Sequence, residues 1–459
     1  MYDKIFARIK PSAKEKEKVK KFVSNLIRVA KTVSGYDCVI VGSIGKQTWL
    51  AGDHDVDLFI MFPPSVPREE LEAKGLEFGQ HITKEMKGKW RVKYAEHPYT
   101  HAIIQGYDVD VVPCYRIAKG EKIISAVDRS PLHMEYVLEN LTQAMQDQVR
   151  LLKQFCKGVG IYGSDAKNLG FSGYICELLI MRYNSFENVI STAAKWEIPV
   201  IVDIEVQREQ YQKDKFRDQP LIVIDPIDSS RNAAAIVSAQ NLLKFMSSAK
   251  RFHTKPSQEF FFPKPKPPLT SREIRAMQKR GTKFFAIIMP RTDVIDDVLY
   301  PQLRKTLHRI ESHLKYNEFL TLRSCEFVGK SCVLVFELEN WSLPEIKKMV
   351  GPPIFSHRHS QEFLAKYGSL RPPAGFGPYV EENRWIADKA REFISAAALL
   401  SALLKMKEED MQAFGIPKYI AHVMKKAKLL EDSKFFAFVK KDKAFSAILK
   451  EEYFEKMTL

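Results

Sequence analysis

Val19, Phe22, Val23, Leu26, Ile27, Ala30 and Val33 recur at the three- and four-residue spacing that puts them on one side of a helix. Ser12, with Glu15 three residues on, gives that helix a capping-box start, and Gly35 gives it a stop. Residues 36–41 then read as a strand, and 57–62 as a nearly continuous apolar strand of the kind buried on both faces. Residues 69–87 predict a helix, and 90–95, 101–104 and 108–113 predict three further short strands. This alternation makes roughly the first 115 residues a mixed α/β unit.

Farther along, 132–157 reads as one long helix, followed by helices at 172–184, 187–196 and 230–249. Asp225-Pro226-Ile227-Asp228 is a loop entering the last of these. The stretch FFFPKPKPP (260–268) predicts an extended, proline-stiffened linker. Beyond it the order is strand 283–289, helix 294–314, and a strand pair at 320–327 and 331–338 turning at Gly329-Lys330. Strand, helix, strand, strand suggests a ferredoxin-like or RNA-recognition-like layer. It lacks the aromatic signature of an RNA-recognition motif, so it predicts the shape without base stacking. A hairpin is expected at 379–387 and helices from 389 onward, and there is no internal repeat. The fold class is multidomain, α/β then α+β.

The chain has 459 residues, 45% hydrophobic and 28% charged, which fits a soluble globular protein with several cores. Its formal charge of +15 suggests a polyanionic partner such as nucleic acid, against the plainer reading of solubility. Cys38, Cys114, Cys156, Cys176, Cys325 and Cys332 form no Cys-x-x-Cys pair, and most lie in apolar runs. They predict buried thiols in a reducing compartment, not a disulfide framework or zinc site. The first residues, MYDKIFARIKPSAKEKEKVKKF, have no apolar core of signal-peptide length. No run approaches ~18 consecutive apolar residues, so a cytoplasmic protein without membrane spans is expected.

Candidate chemistry concentrates in VGSIGKQTWLAGDHDVDLFIMF (41–62). Gly45-Lys46 looks like part of a Walker phosphate loop, but Ile40 stands where its first glycine belongs and Gln47 where Ser or Thr belongs. What remains is Gly42-Ser43 at a strand end, where glycine admits a ligand to the backbone and serine adds a hydroxyl. Asp55 and Asp57 share one strand face, roughly 6.5–7 Å apart along the chain. Carboxylates that close repel unless a cation lies between them, and hard oxygen ligands suit Mg²⁺. YDVDVVP (107–113) offers a third acid, Asp108 or Asp110, on a strand that could lie alongside. Metals held by three carboxylates can activate a 3′-hydroxyl and stabilise leaving pyrophosphate, with Gly42-Ser43 on the β- and γ-phosphates.

Gly-Ser, then Asp-x-Asp, then a later strand aspartate resembles the nucleotidyltransferase superfamily of DNA polymerase β. Together with YDVDVVPCYRI, DRSPLHMEYVLENL, GIYGSDAKNLGFSGYICELLI, IDPIDSSRNAAA, EFFFPKP and GPYVEENRWIAD, the chain is similar along nearly its whole length to the archaeal, class I, tRNA nucleotidyltransferases, the CCA-adding enzymes. That resemblance implies a polymerase-β-like head, and joining of CTP and ATP, one nucleotide at a time, to the tRNA 3′ end without a nucleic-acid template.

Position by position, the resemblance makes Asp55, Asp57 and Asp110 the metal carboxylates. The family often has Glu at the place of Asp55, and Asp110 is chosen over Asp108 because it stands two residues before Val112-Pro113. Gly42 and Ser43 match the triphosphate-binding pair, and His133, Lys153, Tyr162 and Tyr174 match positions around the sugar and phosphates. Arg231 matches an arginine that reads the base edge, donating to acceptors of cytosine or adenine. Each has a structural rival: a ligand-free helix start for His133, core aromatics for both tyrosines, a solvated helix lysine for Lys153, and an ion pair with Asp225 or Asp228 for Arg231.

The expected division is a catalytic head at 1–140, a helical central domain at 141–258, and a tRNA-binding region at 259–459 with an α/β tail at about 282–370. Basic residues recur at 249–251, 271–280 and at Lys425, Lys426 and Lys428, and the family implies grip on the acceptor stem and T arm by shape. The expected partners are tRNA, CTP and ATP, with a homodimer also carried, and the cofactor is Mg²⁺. The rival readings are a poly(A) polymerase, and a nucleic-acid-binding protein with an inactive head.

Overall fold

A computed structural model describes residues 1–94, 96–205, 216 and 218–454. Ala95, the last residue of the strand expected at 90–95, and 455–459, the end of the expected C-terminal region, lie outside the described residues. The chain forms two compact units, 1–264 and 265–458.

The first unit begins with a short helix that the sequence reading missed, α1 (Tyr2–Ile9), then α2 (Ala13–Ser34). The Ser12 hydroxyl accepts from the Glu15 amide, and Gly35 closes α2 at φ 71°. β1 (Asp37–Val41), the one-turn α3 (Gly42–Gly45), β2 (Asp55–Phe62), α4 (Arg68–Glu85), β3 (Lys89–Tyr94), β4 (Pro98–Ile104) and β5 (Tyr107–Tyr115) complete a five-stranded sheet of order β1-β2-β5-β4-β3. The β2–β5 pair is parallel and the other pairs are antiparallel. Alternation sorts the side chains. Val56, Leu58, Ile60, Phe62, Val109 and Val111 pack with α2 and α4 in one core. The intervening residues, Asp55, Asp57, Asp108 and Asp110 among them, therefore face the opposite side of the sheet.

The helix expected over 132–157 is two: α5 (Arg129–Asn140) and α6 (Gln143–Val159). The break is local, because the Thr142 hydroxyl accepts from the Met145 amide and starts a new helix. α7 (Gly173–Tyr183), α8 (Phe186–Ala193) and α9 (Ala239–Thr254) follow, with a short parallel pair, β6 (Val200–Val202) and β7 (Leu221–Val223), which the sequence reading missed. α9 starts nine residues later than the 230–249 expectation, at the Ser238 cap. Residues 230–238 instead form turns, with Asn232 bridged to Ile224. The expected linker also begins late: Phe261 is fully buried in the core of this unit, with Phe260 and Phe262 packed against it.

The second unit opens with α10 (Ser271–Gln278), β8 (Lys283–Pro290), α11 (Asp296–Tyr316), β9 (Thr321–Val328) and β10 (Ser331–Leu338). An insertion then forms a separate three-stranded sheet of β11 (Ile346–Pro353), β12 (Gly375–Glu381) and β13 (Arg384–Ala390), with α12 (His357–Tyr367). The chain returns through α13 (Ala396–Lys405), α14 (Glu408–Ala413) and α15 (Lys418–Met424) to β14 (Lys428–Glu431), and ends in α16 (Asp432–Lys441) and α17 (Lys443–Phe454). The region from 389 onward is thus not wholly helical: β13 runs to Ala390, and β14 pairs with β8. The sheet order β14-β8-β10-β9, all antiparallel, is the ferredoxin-like arrangement. Phe285, Ile287, Leu334 and Phe336 pack on one face with α11, α13 and α15, while Phe284, Ala286, Val333 and Val335 pack on the other with α16 and α17. The central strands are covered on both sides, so they offer no open face for stacking bases.

All six cysteines are free thiols. Among the described residues no helix is long and apolar enough to cross a membrane.

Candidate active site

The open face of the first sheet carries the acids in register. Asp55 lies opposite Asp108 and Asp57 opposite Asp110 across the parallel β2–β5 pair, strands about 4.8 Å apart. Burial, then the charges of Asp110 and Asp55, push the Asp57 carboxyl up to about 6, against a smaller opposing pull from Lys46. Burial, then Asp108, Asp53 and Asp110, also raise Asp55. These carboxylates are short of positive charge, which is the condition a divalent cation relieves.

Gly42 follows Val41, the strand partner of Asp57, and has φ 63°. A Cβ there would come within 1.9 Å of Asp57 Oδ2, so only glycine lets the turn close over that carboxylate. Ser43 stays partly exposed beside it. The Asp110 carboxylate is engaged at one oxygen: His101 Nδ1 lies 2.6 Å from Oδ1, and its Nε2 lies 3.6 Å from Asp108 Oδ1. Among the described residues, no three His, Cys, Asp or Glu side chains already converge on one ion position. The donor set nevertheless fits a hard divalent cation: oxygen-only ligands on rigid strands, facing one another across the β2–β5 pair.

A second cluster gathers on buried Asp225. Its carboxylate accepts from the Arg231 guanidinium (Nη1, 2.6 Å), the Tyr174 hydroxyl (3.2 Å) and the Ile227 amide (3.1 Å), and His133 Nε2 lies 2.9 Å away. Burial alone would push this carboxyl up, but the His133 and Arg231 contacts and the Ile227 amide outweigh it and hold it at about 2. The His133 ring stacks on Tyr174 with centroids 4.1 Å apart. Burial lowers the His133 pKa, opposed by Asp225.

Between the two clusters runs a buried charge network. Lys46 Nζ donates to Glu177 Oε2 (2.8 Å) and lies over the Tyr174 ring, 4.7 Å from its centroid. Lys153 Nζ donates to the Thr48 hydroxyl (2.8 Å), to the Thr48 carbonyl (3.2 Å) and to Glu177 Oε1 (3.3 Å). Burial pushes the Glu177 carboxyl up, yet Lys46 and Lys153 outweigh it and hold it below the usual range. A Cβ on Gly173 would meet Lys153 Nζ and the Tyr162 hydroxyl at 3.2 Å each, so this glycine lets the two groups lie side by side.

The structure thus brings Asp55, Asp57, Asp110 and Gly42 together on one face, and His133, Tyr174 and Arg231 together on Asp225. The ion pair set against a ligand role for Arg231 does exist, with Asp225, while Asp228 pairs with Arg129 at 3.0 Å. Lys153 is not a solvated helix lysine: its side chain is 2% exposed and its amine is committed to protein acceptors. Sequence reasoning passed over His101, Glu177 and Thr48 and gave Asp225 only a pairing role. Glu177 left a signal, being the single charge in the apolar run GYICELLI.

Three family models match successive parts of the chain: a nucleotidyltransferase domain over 16–133, the second domain of tRNA nucleotidyltransferase over 147–262, and the C-terminal domain of CCA-adding enzymes over 280–443. Curated relatives include a CCA-adding enzyme of Methanoregula boonei, 38% identical over 86% of this chain and 84% of its own. Another, from Methanocaldococcus jannaschii, is 37% identical over 90% of this chain and 91% of its own. A third, from Methanosarcina mazei, is 33% identical over 95% and 96%.

Proposed function

The chain belongs to the archaeal CCA-adding enzymes, and from that premise we propose how its site works. The protein is a tRNA nucleotidyltransferase that adds the 3′-terminal CCA to tRNA from CTP and ATP without a nucleic-acid template. Divalent metal use belongs to this fold, and Mg²⁺ is the ion proposed for this chain.

Asp55, Asp57 and Asp110 would hold the metal. When bound there it supplies Lewis-acid activation of the tRNA 3′-hydroxyl and neutralises charge on the departing pyrophosphate. The observation that carries this assignment is Asp57, closed over by Gly42 and raised first by burial and then by the charges of Asp110 and Asp55. Gly42 and Ser43 take the β- and γ-phosphates, because Gly42 lets the turn close over Asp57 and so sets Ser43, which stays partly exposed, beside the carboxylates. His133, Tyr162 and Tyr174 surround the sugar and phosphates, Lys153 supports that wall from within through its buried amine on Thr48 and Glu177, and Arg231 offers its remaining guanidinium donors to the base edge. The division into a head (1–140), a central domain (141–258) and a tRNA-binding region (259–459) belongs to the same reading, as do grip on the acceptor stem and T arm, a cytoplasmic location and a homodimer. Light scattering checks the last by a mass of twice 52.8 kDa.

The test is incubation of the protein with tRNA lacking CCA and labelled CTP or ATP in Mg²⁺. CMP must enter before AMP. Long tails from ATP alone, or no CMP incorporation, would overturn the reading. Asp110→Ala should abolish transfer and leave tRNA binding intact.

A further inference from the structure

Asp225 is a carboxylate with no exposed surface that receives three side chains from separate parts of the chain: His133 from α5, Tyr174 from α7, and Arg231 from its own loop. The loop closes on itself as well. The Asp225 amide donates to the Arg231 carbonyl (3.2 Å), and the Arg231 amide donates to the Asp228 carbonyl (2.8 Å). Asp228 is fixed in turn by the Ser230 amide and hydroxyl and by Arg129. Arg231 is therefore set at both its backbone and one guanidinium nitrogen, while its side chain remains 38% exposed.

A guanidinium carries five N–H donors and no acceptor. One nitrogen is spent on Asp225, and because the group is planar and rigid the other donors are confined to the arc that this bond and the fixed backbone leave open. Cytosine presents acceptors at O2 and N3. Uracil presents a donor at N3, which would face a donor. That difference is felt only if the guanidinium cannot turn to the uracil carbonyls instead.

Resting on the reading of Arg231 as the base-contacting group, we infer that Asp225 is a specificity-determining positioning residue. It holds the Arg231 donor fork in the one orientation that accepts cytosine and adenine and refuses uracil and guanine.

The experiment compares kcat/KM for CMP and UMP incorporation into tRNA lacking CCA by wild type, D225N, R231Q and the double variant, with melting curves for each. D225N should lose the CTP-over-UTP preference by about tenfold or more, the discrimination that one misoriented hydrogen bond forfeits. In the R231Q background, D225N should change the preference no further, because Asp225 acts through Arg231. A structural role alone would lower both kcat/KM values by one factor and leave their ratio. If D225N is too unstable to assay, the double variant, which removes both charges of the pair, still decides. A preference differing from that of R231Q overturns the inference. Wild-type preference in a folded D225N also overturns it. Failure of the wild type to add CMP at all would instead overturn the CCA-adding reading.

Discussion

Asp225 satisfies its lone pairs inside the protein, and that makes its ionisation a stability statement. Its folded pKa, about 2, lies below the ordinary carboxylate value of 3.8, so its contribution is present above about pH 4 and is lost as pH falls through about 2. The shift corresponds to about 2 kcal/mol. Urea unfolding followed downward across that window should show the loss in wild type and a flatter profile in D225N. At the other cluster, His101 fixes one oxygen of Asp110 and leaves the second to a ligand. Groups that orient metal ligands typically cost about 10–100-fold in affinity when removed. Mn²⁺ titration followed by its paramagnetic resonance should therefore show weaker binding in His101→Ala, with melting in chelator little changed. Asp55 and Asp57 were legible in the sequence because two residues apart on a strand means one face. His101 was not, since its meeting with Asp110 is set by the β4–β5 register, a non-local pairing.

At the scale of elements, the segment after α3 is bound to α6 and α7 through Lys46, Thr48, Lys153 and Glu177. Two buried ammonium groups share one carboxylate, so removing its charge leaves both without a compensating negative charge. Glu177→Gln should cost about 3–5 kcal/mol of stability, measured by denaturant titration. A loss under ~1 kcal/mol would mean that water or another acid replaces Glu177. Most strands and helices were readable because their apolar period is strong. The failures have local causes. Thr142 restarts a helix inside one continuous apolar pattern, and Asn232 ties residues 230–238 into turns by donating to the Leu221 carbonyl and accepting from the Val223 amide. β14 has four residues and is defined by its pairing with β8, more than a hundred positions earlier, which no short window of sequence contains.

At the scale of the molecule, a charge of +15 has to be reconciled with a ferredoxin-like sheet whose central strands are buried on both faces. Base stacking on that sheet is closed off, so the second unit can hold RNA only from its surface, and lysines there read phosphates without reading sequence. Lys425, Lys426 and Lys428 lie exposed at the end of α15 and the start of β14. If they contact the tRNA backbone, each phosphate they neutralise releases counterions, and log K falls linearly with log salt. Replacing all three with Ala should weaken binding of every tRNA by the same factor and make the salt slope shallower by up to ~3, about 0.9 for each contact. The preference for CTP over UTP should not move, because Arg231, the residue proposed to read the base, lies in the other unit. Filter binding across a salt series measures the first effect and single-nucleotide incorporation the second. An unchanged slope would place the phosphate contacts elsewhere on the basic surface, while a changed nucleotide preference would show that the two units do not divide grip from selection.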